Sequence, residues 1–170
     1  MAVPTLTTTR LTLRPLVVKD VDAITDALSD FNITRWLTNA PFPYAKSDAQ
    51  WFVQHVANHP DDMNWAIDAG DGLIGMIGVK PDLGYWLNAN NHGQGIMTEA
   101  ANCAVAWYFQ NFSKPLASGH FQGSHASRAI LTKLGFHDTH VEQVVPKATN
   151  AEITLHRMSL SQSDWANQND

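Results

Sequence analysis

Hydrophobic and polar positions run in two rhythms along this chain. From Thr8 to Pro15 (TTRLTLRP), Leu11 and Leu13 alternate with polar neighbours, the period-two pattern of a half-buried strand closed by proline. Asp20 then stands where it can cap a helix whose apolar positions Val21, Ile24, Ala27 and Leu28 fall at helical spacing. Phe31 to Leu37 predicts a shorter helical piece before the Pro41-Phe42-Pro43 break, and Ser47 followed by Gln50 reads as the capping box of a helix running to about His59. The apolar runs Trp65 to Asp68 and Leu73 to Val79 flank Ala69-Gly70-Asp71-Gly72, which predicts an antiparallel hairpin, with a further strand at Leu83 to Asn88. Gly95 to Phe112 returns to helical spacing through Ile96, Ala100, Cys103, Ala104, Trp107 and Tyr108, so a long central helix is expected there. Leu116 to Gln122 reads as a strand, Ala126 to Leu134 as a helix, and Phe136 onward with Glu152 to Leu160 as a closing strand pair. This order predicts a mixed α+β fold, a sheet layered with helices.

Length and composition narrow the picture. A chain of 170 residues, 44% hydrophobic, is long enough for one sizeable core and short for two domains, so a single domain over 1–170 is expected, with 1–7 and 166–170 as flexible ends. No stretch reaches the roughly 20 apolar residues of a membrane span, and the N-terminus lacks a basic-then-apolar leader; a soluble, cytoplasmic protein is expected, with no membrane partner. Cys103 is the only cysteine, which excludes an internal disulfide or a cysteine-rich zinc site. With 11 Lys and Arg, a formal charge of −5 and no basic run, nucleic acid is not an expected partner. A mildly acidic surface suits a cationic substrate such as an amine.

Candidate chemistry centres on Asn88-Ala89-Asn90-Asn91-His92-Gly93-Gln94-Gly95-Ile96-Met97-Thr98-Glu99, which joins an apolar strand to the longest helix. Free backbone amides converge at the positive end of such a helix, and glycine lets the backbone approach an anion closely, so the turn is suited to phosphate. Two glycines at this spacing also fit a plain helix start.

Context resolves this. The loop, read as Asn90-x-x-Gly93-x-Gly95, resembles the Gln/Arg-x-x-Gly-x-Gly/Ala pyrophosphate loop of the GNAT superfamily of acyl-coenzyme A N-acyltransferases, and Ser124-His125-Ala126-Ser127 through Lys133-Leu134-Gly135-Phe136 resembles that family's Asn-x-x-Ser helix ending in Lys-Leu-Gly-Phe. Thr9 to Pro15 and Leu83-Gly84-Tyr85-Trp86-Leu87 are similar to the opening and fourth strands of its ribosomal-protein N-acetyltransferase (RimJ/RimL-like) branch, and the likeness runs from about Thr8 to Trp165. Asn90 in place of Gln or Arg, and Ser124 in place of Asn, depart from the pattern. The resemblance implies a central, mostly antiparallel sheet of six or seven strands with its fourth and fifth strands splayed, flanked by about four helices. It also implies acetyl-coenzyme A as cosubstrate, its pantetheine arm entering the gap against the backbone of Leu87 and Asn88. Asn90, His92, Gly93, Gln94, Gly95, Ile96, Met97 and Thr98 would hold the pyrophosphate, with Ser124 and Arg128 close to the coenzyme.

Acyl transfer from a thioester to an amine needs a neutral amine, a stabilised oxyanion and a proton for the thiolate. A backbone amide near Leu87, freed by splaying, suits the oxyanion. Asp82 stands where RimJ/RimL-like relatives often place an acidic residue, and is the expected base; turn aspartates after proline are also common, and His120 and His92 are the other titratable choices. Ser127 matches the motif serine placed to protonate sulfur in some relatives, while Leu131 occupies the position where others carry a tyrosine. Phe42, Trp86 and His120 are expected along the acceptor cleft, and Trp36, Trp51, Trp65 and Trp107 in the core. His55 with His59 and His137 with His140 lack a third ligand pattern, so no metal is expected. Direct transfer in a ternary complex follows, because Cys103 lies inside the helix; the acceptor is a primary amine, a protein N-terminus or a small molecule, and the enzyme a monomer or homodimer. Two rivals remain: an acyl-coenzyme A sensor that binds without turnover, and a dinucleotide turn, which lacks an acidic residue about 20 positions on, where Lys114 and Ser118 stand.

Overall fold

The protein, seen as a computed structural model, is described over residues 1–57 and 59–169. Among these residues, eight strands and six α-helices follow in the order β1 (Leu6–Thr7), β2 (Thr12–Arg14), α1 (Val21–Leu28), α2 (Phe31–Thr34), α3 (Lys46–His55), β3 (Met63–Asp68), β4 (Leu73–Lys80), β5 (Gly84–Leu87), α4 (Ile96–Asn111), β6 (Leu116–Phe121), α5 (His125–Leu134), β7 (His137–Val144), β8 (Ile153–Leu160) and α6 (Gln162–Asn169). The strands form two antiparallel sheets, β1-β2-β3-β4-β5 and β6-β8-β7, which separate between β5 and β6. The mixed α+β layering is as expected, with the splay drawn as a complete division of the sheet.

Alternation along the strands builds two apolar layers. On β3, Trp65 and Ile67 join the core beneath α4, with Ala100, Ala104 and Trp107, while Ala66 faces the other way onto Ile24 and Val53 of α1 and α3. The five-stranded sheet thus lies between α4 on one face and α1 and α3 on the other. Trp65 is fully buried, meets Trp107 edge to face at 5.2 Å between centroids, and donates Nε1–H to the carbonyl of Pro4 at 2.7 Å.

Several boundaries differ from the sequence pattern, each for a local reason. TTRLTLRP is not one strand: Thr8 turns the chain, its N–H reaching the Leu11 carbonyl and its hydroxyl accepting the Leu11 N–H at 3.0 Å, so β1 and β2 form a hairpin. Asp20 does not cap α1. It is 97% shielded, takes both Nη atoms of Arg14 at 2.8 and 2.9 Å, and accepts the Val17 N–H to close a 3₁₀ turn over Val18–Asp20. The cap of α3 is not Ser47 with Gln50 but Asp48, which accepts the Ala45 N–H at 2.8 Å; α3 ends at His55, and the expected extension towards His59 includes Asn58, outside the described residues. α2 stops at Thr34 rather than Leu37, opened by Asp30 accepting the Asn32 N–H. Trp51 is not core: it is 58% exposed and stacks on His55. Residues named as loose ends carry regular structure, β1 at the start and α6 at the end, where Ser161 and Asp164 hydrogen-bond and Trp165 stacks on Phe109; Asp170 lies outside the described residues.

Candidate active site

The separation of β5 from β6 opens a cavity of about 680 Å³ between the two sheets, roofed by α2 and bounded by the α4 and α5 N-termini. Its apex is fastened by two bonds: the Leu83 N–H donates to the Ala117 carbonyl, and the buried Ser118 hydroxyl donates to the Leu83 carbonyl, both at 2.8 Å. Alternation then decides which backbone groups face the gap. Asn88 gives its N–H to Ile74 of β4, so Tyr85 and Leu87 turn theirs towards the opening beyond Leu83. Asn88, expected as a pantetheine partner, is therefore already spent on β4. The Leu87 carbonyl is also taken, by His92 Nε2 at 2.8 Å, which leaves the Leu87 N–H for the gap.

At the far end Gly93 and Gly95 both adopt left-handed backbone, φ 72° and 75°. These conformations strain any side-chain-bearing residue and bring the chain round so that α4 starts directly on the cavity. The first intrahelical bond is Glu99 N–H to the Gly95 carbonyl, so the N–H groups of Ile96, Met97 and Thr98 have no acceptor in the helix, and all three residues line the cavity. His92, Gly93 and Gly95 line it as well, whereas Asn90 and Gln94 do not: the Gln94 amide folds back onto the Asn90 carbonyl at 3.0 Å. Position 90, where Asn stands in place of Gln or Arg, is thus not part of the cavity lining.

A contact the sequence pattern did not suggest fixes this loop. Arg10 donates through Nη1 to the Gln94 carbonyl at 2.9 Å and through Nε to Glu99 at 2.7 Å, and Glu99 also accepts the Arg10 N–H and the Thr8 hydroxyl. The Thr8 hydroxyl and the Arg10 contacts hold the Glu99 carboxyl below its usual range. The turn between β1 and β2 therefore clamps the first turn of α4, and one loop carbonyl, away from the amide cradle.

The catalytic candidates fall in the middle of the cavity. Ser127, in the first turn of α5, meets the Tyr85 hydroxyl at 3.1 Å, and Tyr85 also donates to the Ser127 carbonyl at 3.3 Å. Burial pushes Tyr85 up to about 12, beyond the opposing effect of Ser127, so the phenol keeps its proton through neutral pH. Tyr85 lines the cavity and is not among the residues that the sequence motifs single out. The aromatic acid sought at position 131 is a fully buried leucine, and the tyrosine facing Ser127 comes from β5 instead. Asp82 lines the cavity, its Oδ2 held by Arg157 Nη2 at 2.7 Å.

His120 is almost fully buried, stacked on His156 at 5.0 Å, its Nδ1 close to the Phe121 carbonyl and its Nε2 without a partner among the described residues. Burial lowers its pKa, so it is neutral at pH 7. It separates the main cavity from a smaller one of about 180 Å³, where Arg128 lies; Ser124 lines both. Trp86 lines the main cavity as expected, joined by Trp36, whereas Phe42 stands outside it, packed on Phe31 at 5.0 Å. Cys103 does not line it, and burial pushes its thiol up. Among the described residues no three His, Cys, Asp or Glu side chains are placed to hold a metal, and no helix is long and apolar enough to cross a membrane.

Comparison with known proteins fits this geometry. The profile of the Acetyltransferase (GNAT) domain matches residues 10–137. The chain belongs to the GNAT family of acetyltransferases. Among curated proteins, this GNAT chain is 23% identical to the uncharacterized N-acetyltransferase p20 of Bacillus licheniformis, over 95% of this chain and 98% of that one. Among solved structures, the microcin C7 self-immunity acetyltransferase MccE in complex with acetyl-CoA and AMP superposes with a TM-score of 0.78 at 18% identity, over 91% of this chain and 93% of that one. The ribosomal-protein-S5-alanine acetyltransferase of Vibrio fischeri gives 0.78 at 16%, over 95% and 98%. The GNAT fold and an acyl-coenzyme A-dependent N-acetyltransferase activity follow from the family; the acceptor does not.

Proposed function

We propose that this GNAT enzyme moves the acetyl group of acetyl-coenzyme A directly to a primary amine bound in the same cavity, as a single cytoplasmic domain of the RimJ/RimL-like kind. The observation that carries the reading is the continuity of the cavity, from the free amides of Ile96, Met97 and Thr98 along the open side of β5 to Asp82 and the Tyr85–Ser127 pair. The amides and the helix dipole suit the pyrophosphate, and the outward N–H of Leu87 suits the pantetheine arm. At the apex, Asp82 Oδ1 takes a proton from the ammonium, directly or through water. The amine nitrogen bonds to the thioester carbon, the carbon–sulfur bond breaks, and the departing sulfur takes a proton from the Ser127 hydroxyl, which Tyr85 resupplies; the second amine proton passes through water back to the Tyr85 oxygen. The products are an N-acetylated amine and the coenzyme thiol. No covalent enzyme intermediate is needed, in keeping with a cysteine outside the cavity. The RimJ/RimL-like assignment is supported by the motif likeness and by ribosomal-protein acetyltransferases among the structural neighbours.

Isothermal titration with acetyl-coenzyme A, followed by thiol release over a panel of amines, tests the reading. Saturable binding and release are expected. Absence of binding at millimolar coenzyme would sink it, and binding without release on any amine would favour the sensor.

A further inference from the structure

Among the described residues the main cavity is lined by one permanent cation, Arg157, and one permanent anion, Asp82, and the two touch. The arginine reaches the cavity from β8 across Gly119 of β6, its register partner; a Cβ at Gly119 would come within 3.6 Å of the Arg157 Cδ and 2.9 Å of the His156 carbonyl. The strand pairing thus leaves room for the stem to lie over the sheet and present its head at the apex.

The ion pair is half made. A guanidinium has five N–H donors in a planar fork, and Arg157 uses Nη2 on Asp82 while Nε and Nη1 have no partner among the described residues. Asp82 likewise uses Oδ2 and leaves Oδ1 open. Arg157 is 22% exposed, sheltered enough that unfilled donors are costly and a second oxyanion would be bound well. Cation and anion therefore stand side by side on the cavity wall, each with hydrogen-bonding capacity unused among the described residues.

Resting on the transfer reading above, we propose that the acceptor is an amino acid: a small molecule carrying a carboxylate beside its amine. Arg157 receives the carboxylate on its free donors, and Asp82 Oδ1 receives the ammonium and takes its proton before attack. The amine gains the acetyl carbon, the thiolate gains a proton, and an N-acetylamino acid leaves with the coenzyme thiol. A polyamine would meet a single carboxylate already paired with arginine. A protein N-terminus offers a neutral peptide group where Arg157 needs an anion. Ile33, Trp36 and Trp86 line the cavity on its α2 side, so the amino acid has an apolar or aromatic side chain.

The test compares phenylalanine with phenylalaninamide, whose amine is less basic and chemically the readier nucleophile, alongside a short peptide and an aminoalkyl phosphate. Phenylalanine is expected to exceed the amide by about tenfold to a hundredfold in kcat/KM, the worth of a charge-assisted bond. Arg157→Gln is expected to collapse that ratio towards unity, and Arg157→Lys to restore part of it. An amide or peptide used as well as the acid, an unchanged ratio in R157Q, or a preference for the phosphate overturns the proposal. If R157Q fails to fold, the wild-type ratio alone decides. Titration with N-acetylphenylalanine reads the same site without turnover. Binding that weakens about tenfold in R157Q, with no thiol release on any amine, would sink the transfer reading and leave the carboxylate site standing; release that favours amides would do the reverse.

Discussion

The two ends of the cavity are built from different materials. The end proposed for the coenzyme is backbone: two left-handed glycines and three helix-start amides, contributed by one contiguous stretch of chain. The end proposed for the acceptor is side chains drawn from a turn, two strands and a helix, with Asp82 meeting Arg157 across 75 positions and Tyr85 meeting Ser127 across 42. On the proposed reading the first kind of site should tolerate the replacement at Asn90, because backbone amides are the same whatever side chain stands beside them. The second depends on each residue, and can change its substrate by exchanging one.

Substitutions at each end should separate these roles. Asp82→Asn should have the largest effect, lowering turnover by about a hundredfold or more while coenzyme affinity, read by titration, stays close to wild type. Unchanged turnover would remove Asp82 as the base. Gly93→Val should act in the opposite sense, weakening acetyl-coenzyme A binding by about tenfold to a hundredfold, since a β-branched residue pays for left-handed backbone. Ser127→Ala, with Tyr85 still present to protonate sulfur through water, should lower turnover by about tenfold, and Tyr85→Phe on that background should lower it further. Arg10→Gln should raise the KM for the coenzyme by about threefold with little change in kcat, a modest effect because the ion pair is half exposed. The smallest signal is in the pH profile. Burial raises Tyr85 to about 12, so it stays protonated, and its contribution should be constant from pH 7 to about 10 and be lost only as pH rises towards about 12.

The contrast between the two ends also explains what the sequence made legible. Periodic elements could be read directly: α4 runs from Ile96 to Asn111 within a residue of its expected ends, and the β3–β4 hairpin turns at the glycines that marked it. The amide cradle was legible for the same reason, since a helix start and its glycines are local. TTRLTLRP misled because strict alternation hides a turn that depends on a hydroxyl and on Glu99, far along the chain. The final helix was missed because Gln162–Asn169 is polar on most sides and docks through Trp165 alone among large apolar residues. Arg157 and Tyr85 carried no signal of their own. Arginine on an alternating strand and tyrosine in an apolar run are ordinary, and become candidates for chemistry only when the β4–β5 turn brings Asp82 or α5 brings Ser127 into reach.

The clamp of Arg10 on Gln94 and Glu99 has a practical side. Residues 1–11 contribute no side chain to the cavity, and by that measure are expendable. Yet they carry Thr8 and Arg10, the groups that steady the loop from behind, together with Pro4, whose carbonyl caps the indole of Trp65. A shortened protein beginning at residue 12 would keep every cavity-lining residue and bind the coenzyme less well. Any affinity handle is therefore better attached beyond α6 than fused against this opening hairpin.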